Sequence, residues 1–481
     1  MNMGSTRVAH ELENLVSAVL QSRHEVASDD ILAHRPSQDE VNELRGMAVP
    51  GAARAIEEVL QDINKILSYR IATAHPRFFS CIPSPVSRLS WLGDCVTTAQ
   101  NPFGGSWEAG PGVCSIESSL IEWIAKRFGL PSSAGGQFVS GASMANLTAV
   151  TVARDQKLKV EQRANGVAYI SEEAHFCIGK VLRIVGISDD QIRVIKVDSN
   201  FQFNTVELQY QIDQDIVQGK EPFLIVATCG TTNTGTVDPL EELAQIANSH
   251  DMWLHVDAAY GGSLAFSDTH LAKIHGIELA HSIAWDAHKW LFQTHGCGAV
   301  FFREKAYPLK SFSGSGGYVR DVECLEEPCD PWNYGIELTR PARHMRLWFS
   351  LQVLGLENID GMINWGFELS SHLESRLLEM RDWEIISRSS LAILTFRYAP
   401  KGIVSGNKEY DDCNTTISKR MASENRAAIF TTQLQKRVCL RMCTINPNTT
   451  KDDINVVVEA LDLIAKETLG KSRAVRSNPY L

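Results

Sequence analysis

Five short apolar runs constrain this chain more than any other feature: GVAYIS (166–171), FLIVATCG (223–230), MWLHVDAAY (252–260), HSIAWD (281–286) and GAVFFR (298–303). Each is rich in β-branched or aromatic residues, each closes on small or polar ones, and helical stretches follow them. That alternation predicts an α/β layer with a mostly parallel sheet, because parallel strands need long crossovers that are usually helical. In open sheets of this kind ligands gather at the carboxyl ends of the strands, so the chemistry is expected there.

The flanks read differently. Residues 1 to about 70 carry helical stripes, first Leu12, Leu15, Val16, Val19 and Leu20, then Ile56, Val59, Leu60, Ile63, Ile66 and Leu67. They suggest a helical arm rather than an independent core. The stretch SFSGSGGYVRDVECLEEPCDPWNYG (311–335) has no steady period and reads as a loop long enough to be functional. Beyond it a helical stretch (MRLWFSLQVLGLENI) leads to strands LAILTFRY and RVCLRMCTI and a final helix, with Thr450 and Asp453 spaced as its cap. The expected organisation is a helical arm over 1–75, a large α/β domain over 76–345 and a small α+β domain over 346–481.

Composition excludes several classes. Lys and Arg number 46 against 57 Asp and Glu, and a net charge of −11 argues against a broad nucleic-acid surface. No apolar run approaches the roughly 18 residues that span a bilayer, and the opening residues lack a signal-peptide core. A cytoplasmic protein is expected. The 11 cysteines are scattered and odd in number, which suits free thiols, and none is paired with histidines at zinc spacing, so no metal site is expected.

Four strand ends carry unusual groups. In GQFVSGASMANLTAVTVARD (136–155), Gly141, Ala142 and Ser143 would open a helix and present N–H groups to an anion, although a tight turn explains the same residues. HVDAAYGG places Asp257 at the end of a buried strand, where a carboxylate needs a partner. SEEAH places His175 past another strand end, and GTTNTGTVD supplies the hydroxyls of Thr231 and Thr232. Lys289, in AWDAHKWLF, follows Asp257 by 32 residues, which leaves room for one helix and one strand. An anion cradle, an acid, an imidazole and a semi-buried lysine fit pyridoxal phosphate best: a phosphate, a pyridine nitrogen to keep protonated, and an aldehyde that needs an amine. A dinucleotide has no GxGxxG anchor, and the terminal GKS lacks the glycine of a P-loop, since residue 465 is Ala.

From HPRFF (75–79) to NPNTTKDDI (446–454), and most specifically in HVDAAYGG and DAHKW, the chain resembles the pyridoxal-phosphate-dependent group II amino-acid decarboxylases of fold type I. The resemblance implies that Lys289 carries the cofactor, His175 stacks on one ring face with Ala259 on the other, and Asp257 pairs with the ring nitrogen. It implies phosphate contacts from Ala142, Ser143 and His288, with Thr232 and Asp286 nearby. Tyr318 falls where the family keeps the tyrosine that protonates the substrate carbon, on a loop that closes over the partner's site in family homodimers. Arg441 matches an arginine that binds a substrate carboxylate.

Substrate choice is expected from the segment after HPRFF, where Ile82, Pro83 and Ser84 replace the aromatic residue, proline and threonine of aromatic decarboxylases. The proline fits that subgroup, and the glutamine of glutamate decarboxylases is missing. Phe103 and Trp107 are further pocket candidates, while Gly105 replaces a bulky residue and is expected to enlarge or reshape the pocket. An aromatic or large apolar amino acid is preferred. The alternatives are an acidic substrate, a deaminating aldehyde synthase on the same fold, and a catalytically silent binding protein.

Overall fold

The computed structural model describes residues 30–47, 49–82, 85–314, 330–400 and 408–477, with side chains up to residue 469. Pro83, Ser84, the segment around Tyr318 and the first stripe of the expected arm lie outside these residues.

The described chain begins with helices α1 (Gln38–Gly46), α2 (Ile56–Ser68), α3 (Arg88–Gln100) and α4 (Pro111–Arg127). Strand β1 (Gly135–Val139) and helix α5 (Ala142–Lys157) start an alternating series. It continues through β2 (Gly166–Ser171), α6 (Cys177–Ile184), β3 (Ile192–Ile195), α7 (Thr205–Val217), β4 (Glu221–Thr228), α8 (Leu240–Ser249), β5 (Trp253–Asp257), β6 (Ser282–Asp286) and β7 (Gly298–Phe302). These strands form one sheet in the order β1-β7-β6-β5-β4-β2-β3. β6, β5, β4, β2 and β3 are parallel neighbours, and β7 is antiparallel to both β1 and β6.

Two details differ from the sequence expectation. GAVFFR is a strand, but it runs backwards, because the 11 residues between β6 and β7 contain no helix and are too short for a parallel crossover. Between Asp257 and β6 the expected helix is replaced by three short 3-10 segments, Gly261–Phe266, Leu271–Ile274 and Ile277–Leu279. Gly262 packs so closely on Trp285 that a Cβ would stand 2.7 Å from the indole, which ties the first of these segments flat against the sheet.

The central strands are apolar on both faces, as a sheet covered on both sides requires. Tyr169, Ile225, Leu254, Val256 and Ile283 belong to one core cluster, and Ile170, Leu224, Val226, Trp253 and Ala284 to the other, on the side of α5. Helix α9 (Ala306–Phe312) and the long α10 (Met345–Glu379), kinked at Gly355 where φ is 69°, lead to the second lobe. There β8 (Trp383–Ser390), β9 (Ile393–Tyr398), α11 (Lys408–Ser423), β10 (Phe430–Leu434), β11 (Arg437–Cys443) and α12 (Lys451–Ser477) complete the chain. The four strands form an antiparallel sheet in the order β10-β11-β9-β8. The expected cap of the last helix is present: Asp453 N–H donates to Thr450 Oγ1 at 3.1 Å, and Thr450 N–H donates to the Asp453 carboxylate at 2.9 Å.

Helix α2 buries none of its residues, and Ile56, Val59, Ile63, Ile66 and Leu67 are each at least 38% exposed along one stripe. No helix among the described residues is long and apolar enough to cross a membrane.

One buried ion pair joins α4, β1 and the segment before α10. Arg340 Nη2 donates to Glu117 Oε1 at 2.6 Å, and the same guanidinium donates to the carbonyls of Gly104 and Phe138, both at 2.7 Å. Glu117 Oε1 also accepts the Phe138 N–H at 2.7 Å. Burial pushes the Glu117 carboxyl up, but Arg340 and then His344 outweigh it and leave the carboxyl below its ordinary value. Breaking such a pair leaves a buried charge without compensation. Arg340→Met is therefore expected to cost about 3–5 kcal/mol, read as a lower urea midpoint, and the double variant Glu117→Gln/Arg340→Met to recover part of that loss.

Acid should also destabilise the fold in a defined window. Burial lowers His255 and His281 to about 4 and lowers His75 and His344 in the same direction. The unfolded chain takes up protons on these rings near their ordinary value of 6.5, where the folded chain does not. Their contribution to stability is complete above that value and drains as the pH falls toward about 4. The thermal midpoint, followed from neutrality downward, should fall across that window, and replacing His281 by Gln should blunt the fall.

Candidate active site

At the carboxyl edge of the large sheet, a cavity of about 350 Å³ opens between the strand ends and the N-terminus of α5. Because six strands point to this edge and β7 starts from it, short loops from most of the sheet converge there. Of the residues singled out in the sequence, the cavity is lined by Ile82, Ala142, Ser143, His175, Thr232, Asp257, Ala259, Asp286, His288 and Lys289.

Asp257 closes β5 and is 5% exposed. Its Oδ1 accepts the Ala259 N–H at 3.1 Å, and its Oδ2 accepts Asn146 Nδ2–H at 3.1 Å. Asp286 closes β6, and its Oδ1 accepts the Ala142 N–H at 2.7 Å at the start of α5. Burial raises the Asp286 carboxyl, although Lys289 Nζ and His288 Nε2 each lie 3.6 Å from its Oδ2. Gly298 makes this junction possible, since a Cβ there would stand 2.5 Å from Asp286 Oδ1 and 2.7 Å from Gly141 Cα.

Lys289 is semi-buried, with 27% of its side chain exposed, at the turn that follows β6. His288 Nδ1 donates to the Cys297 carbonyl at 3.1 Å, which turns Nε2 toward Asp286 and the cavity. His175 Nδ1 accepts the Cys177 N–H at 3.3 Å, so the neutral ring carries its proton on Nε2. Burial lowers the basicity of both imidazoles.

Other expected residues lie elsewhere. Phe103 pairs with Pro341 and meets Trp332 edge-on at 6.2 Å, while Trp107 N–H donates to Asp330 at 2.8 Å; neither lines the cavity. Gly105 does not enlarge the pocket, because the space of its missing side chain is filled by the Leu338 carbonyl and the Phe103 ring. Arg441 also stands behind the wall, with its terminal nitrogens donating to the carbonyls of Thr232 and Cys81 rather than facing the cavity. Among the described residues, no group of three or more acids, histidines or cysteines could hold a metal ion.

Six of the described lining residues escaped the sequence reading, namely Ser140, Met144, Cys177, Thr228, Gly230 and Tyr260. Tyr260 had a signal, since it follows the acid-bearing strand end directly. Thr228 had one too, because it is the last residue of β4 and pairs in register with Asp257. Its hydroxyl is buried and has no hydrogen-bond partner among the described residues, so it is placed to meet a ligand.

An amine, a buried acid, an unpartnered hydroxyl and a helix N-terminus facing one cavity fit a phosphorylated pyridine aldehyde. Known proteins agree. The profile of the pyridoxal-dependent decarboxylase conserved domain matches residues 39–399. An aromatic-L-amino-acid decarboxylase of Bacillus atrophaeus is 35% identical over 87% of this chain and 88% of its own. An L-2,4-diaminobutyrate decarboxylase of Rhizobium meliloti is 28% identical over 87% of this chain and 84% of its own. The crystal structure of Oryza sativa TDC with PLP and tryptamine superposes with a TM-score of 0.87 at 21% identity, covering 95% of this chain and 97% of that one, and shares the type I fold. The chain thus belongs to the pyridoxal-dependent decarboxylases, as a carboxy-lyase that uses pyridoxal phosphate to decarboxylate an amino acid.

Proposed function

We propose that the substrate is an aromatic or large apolar L-amino acid, released as its amine and carbon dioxide. The observation that carries this reading is the charge of the cavity wall: among the described lining residues Lys289 is the one lysine or arginine, and Arg441 is directed to backbone carbonyls. An acidic side chain would need a further cation, whereas Ile82, Met144, Ala259 and Tyr260 offer apolar surface. The aromatic substrate named for the Bacillus relative supports the same choice.

When bound, pyridoxal phosphate supplies an aldehyde that condenses with amines and a ring that takes up the electron pair left as carbon dioxide departs. Lys289 would supply the resident amine, and Asp257 would hold a proton at the ring nitrogen by the attraction of its carboxylate. His175 and Ala259 would pack the two ring faces. Ala142, Ser143 and His288 would meet the phosphate at the start of α5, where the helix dipole favours an anion, with Thr232 and Asp286 beside them. Tyr318, outside the described residues, is assigned by resemblance to deliver the proton that completes the amine. Of the pocket candidates, Ile82 contacts the cavity in this chain.

The protein is proposed to act as a homodimer, with the apolar stripe of α2 covered by a second copy. A cytoplasmic location suits the nine described cysteines, all free thiols. We read the division into arm, large domain and small domain at about residues 75 and 345, after α2 ends and where α10 begins.

A panel of twenty L-amino acids with purified enzyme, products read by mass, tests the substrate. Tryptophan, tyrosine, phenylalanine or dihydroxyphenylalanine should yield amine and carbon dioxide in equal amounts, and preferential turnover of glutamate or aspartate would sink the proposal. Lys289→Ala should lose the visible absorbance of bound cofactor together with turnover, while Tyr318→Phe should divert product, with uptake of dioxygen, to aldehyde, ammonia and hydrogen peroxide. Light scattering should give twice the chain mass, and the pair Ile63→Glu/Ile66→Glu should halve it.

A further inference from the structure

Behind Asp257 lies a line of polar groups for which the proposed chemistry has no use so far. Trp253, His255 and Asp257 alternate along β5 on the face toward α5, as does Ser282 on β6, and Asn146 meets them from α5. Trp253, His255, Ser282 and Asn146 are at most 1% exposed. Trp253 Nε1 lies 2.8 Å from Ser282 Oγ, Ser282 Oγ 2.9 Å from His255 Nδ1, His255 Nε2 2.7 Å from Asn146 Oδ1, and Asn146 Nδ2 3.1 Å from Asp257 Oδ2.

With Asp257 as a carboxylate, the chemistry of the groups sets one direction for the protons along the line. A carboxylate only accepts, so the amide of Asn146 must turn its Nδ2 toward Asp257 and its Oδ1 toward His255. His255 must then donate from Nε2. Burial keeps this imidazole neutral, with its value near 4, so with the one ring proton on Nε2 the Nδ1 lone pair accepts the Ser282 hydroxyl, and the Ser282 carbonyl, 3.2 Å from Nδ1, receives no proton from it. Ser282 in turn accepts the Trp253 N–H, which can only donate. Each donor points toward Asp257, and hydrogen bonds aligned in this way strengthen one another.

We propose that Trp253, Ser282, His255 and Asn146 form a one-way hydrogen-bond relay that holds the Asp257 carboxylate aimed into the cavity, and so sets how firmly a bound pyridine ring nitrogen holds its proton. These are positioning residues, and the inference rests on the role of Asp257 proposed above. Packing alone does not account for them, since four polar groups between a sheet and a helix cost more than apolar ones of the same shape. The other titratable groups facing Asp257 are His175 and Cys177 from the segment after β2, Cys229 after β4, and Asp286 and Lys289 at and after the end of β6.

The test compares Asn146→Leu, His255→Phe, His255→Gln and Ser282→Ala with the parent enzyme. The readouts are pyridoxal-phosphate affinity of the apoenzyme, the ring-nitrogen chemical shift of labelled cofactor in the holoenzyme, kcat and KM, and the melting temperature of the apoenzyme. Asn146→Leu and His255→Phe should weaken cofactor binding about tenfold or more, the scale of one hydrogen bond to a charged group. They should also move the ring nitrogen toward its deprotonated shift and lower kcat with KM little changed. His255→Gln, whose amide nitrogen can stand where Nε2 does, should restore most of each effect, and Ser282→Ala should move all of them less and in the same direction. Lower apoenzyme melting with unchanged cofactor affinity and ring shift would leave a structural role only and overturn the relay. If Asn146→Leu does not fold, the contrast between His255→Phe and His255→Gln decides on the same readouts. Asp257→Asn separates the two claims: if it keeps cofactor and turnover, the assignment of Asp257 itself fails, whereas if it abolishes both while the relay variants match the parent, the relay alone fails.

Discussion

Two buried carboxylates at the ends of adjacent parallel strands set the terms for the rest of the molecule. Asp257 and Asp286 are 5% and 3% exposed, and neither would be tolerated there without hydrogen bonds. Each receives a backbone N–H, from Ala259 and Ala142 respectively. Those two amides belong to the turn after β5 and the first turn of α5, so the demand of the acids for partners fixes where both segments sit. The reversal of β7 belongs to the same arrangement, because it brings Gly298 to the active edge, where a larger residue would collide with the Asp286 carboxylate and the Gly141 backbone.

Much of this was legible in the sequence for one reason. Strands covered on both faces appear as apolar runs, and their ends appear as abrupt changes to polar or small residues. Asp257 and Lys289 stood out because charge is conspicuous against Val, Ile and Trp, whereas Asp286 entered only through the family resemblance. The reversed direction of β7 could not be read, since GAVFFR has the same composition whichever way it runs, and only the length of the connection before it carries the information. Strand β3, with the four residues IRVI only partly buried, has too little apolar contrast to register.

The second layer of the site was harder to see. Asn146 and His255 sit within runs that read as helix and strand, and their importance lies in partners 109 residues apart in the chain. Gly105 shows the opposite failure. A missing side chain suggested empty space, but the chain filled it with a carbonyl and a ring of its own. Arg441 was visible as a charge in a strand, yet what its guanidinium touches depends on how two distant loops fold back on it.

That last contact couples parts of the molecule that the topology keeps separate. Arg441 belongs to β11, at the heart of the small sheet, while Thr232 and Cys81 belong to segments at the mouth of the cavity. Asn233, next to Thr232, is held from the same side by the hydroxyls of Thr395 and Thr432. The same four contacts therefore tie the position of these two lining segments to the packing of the second sheet.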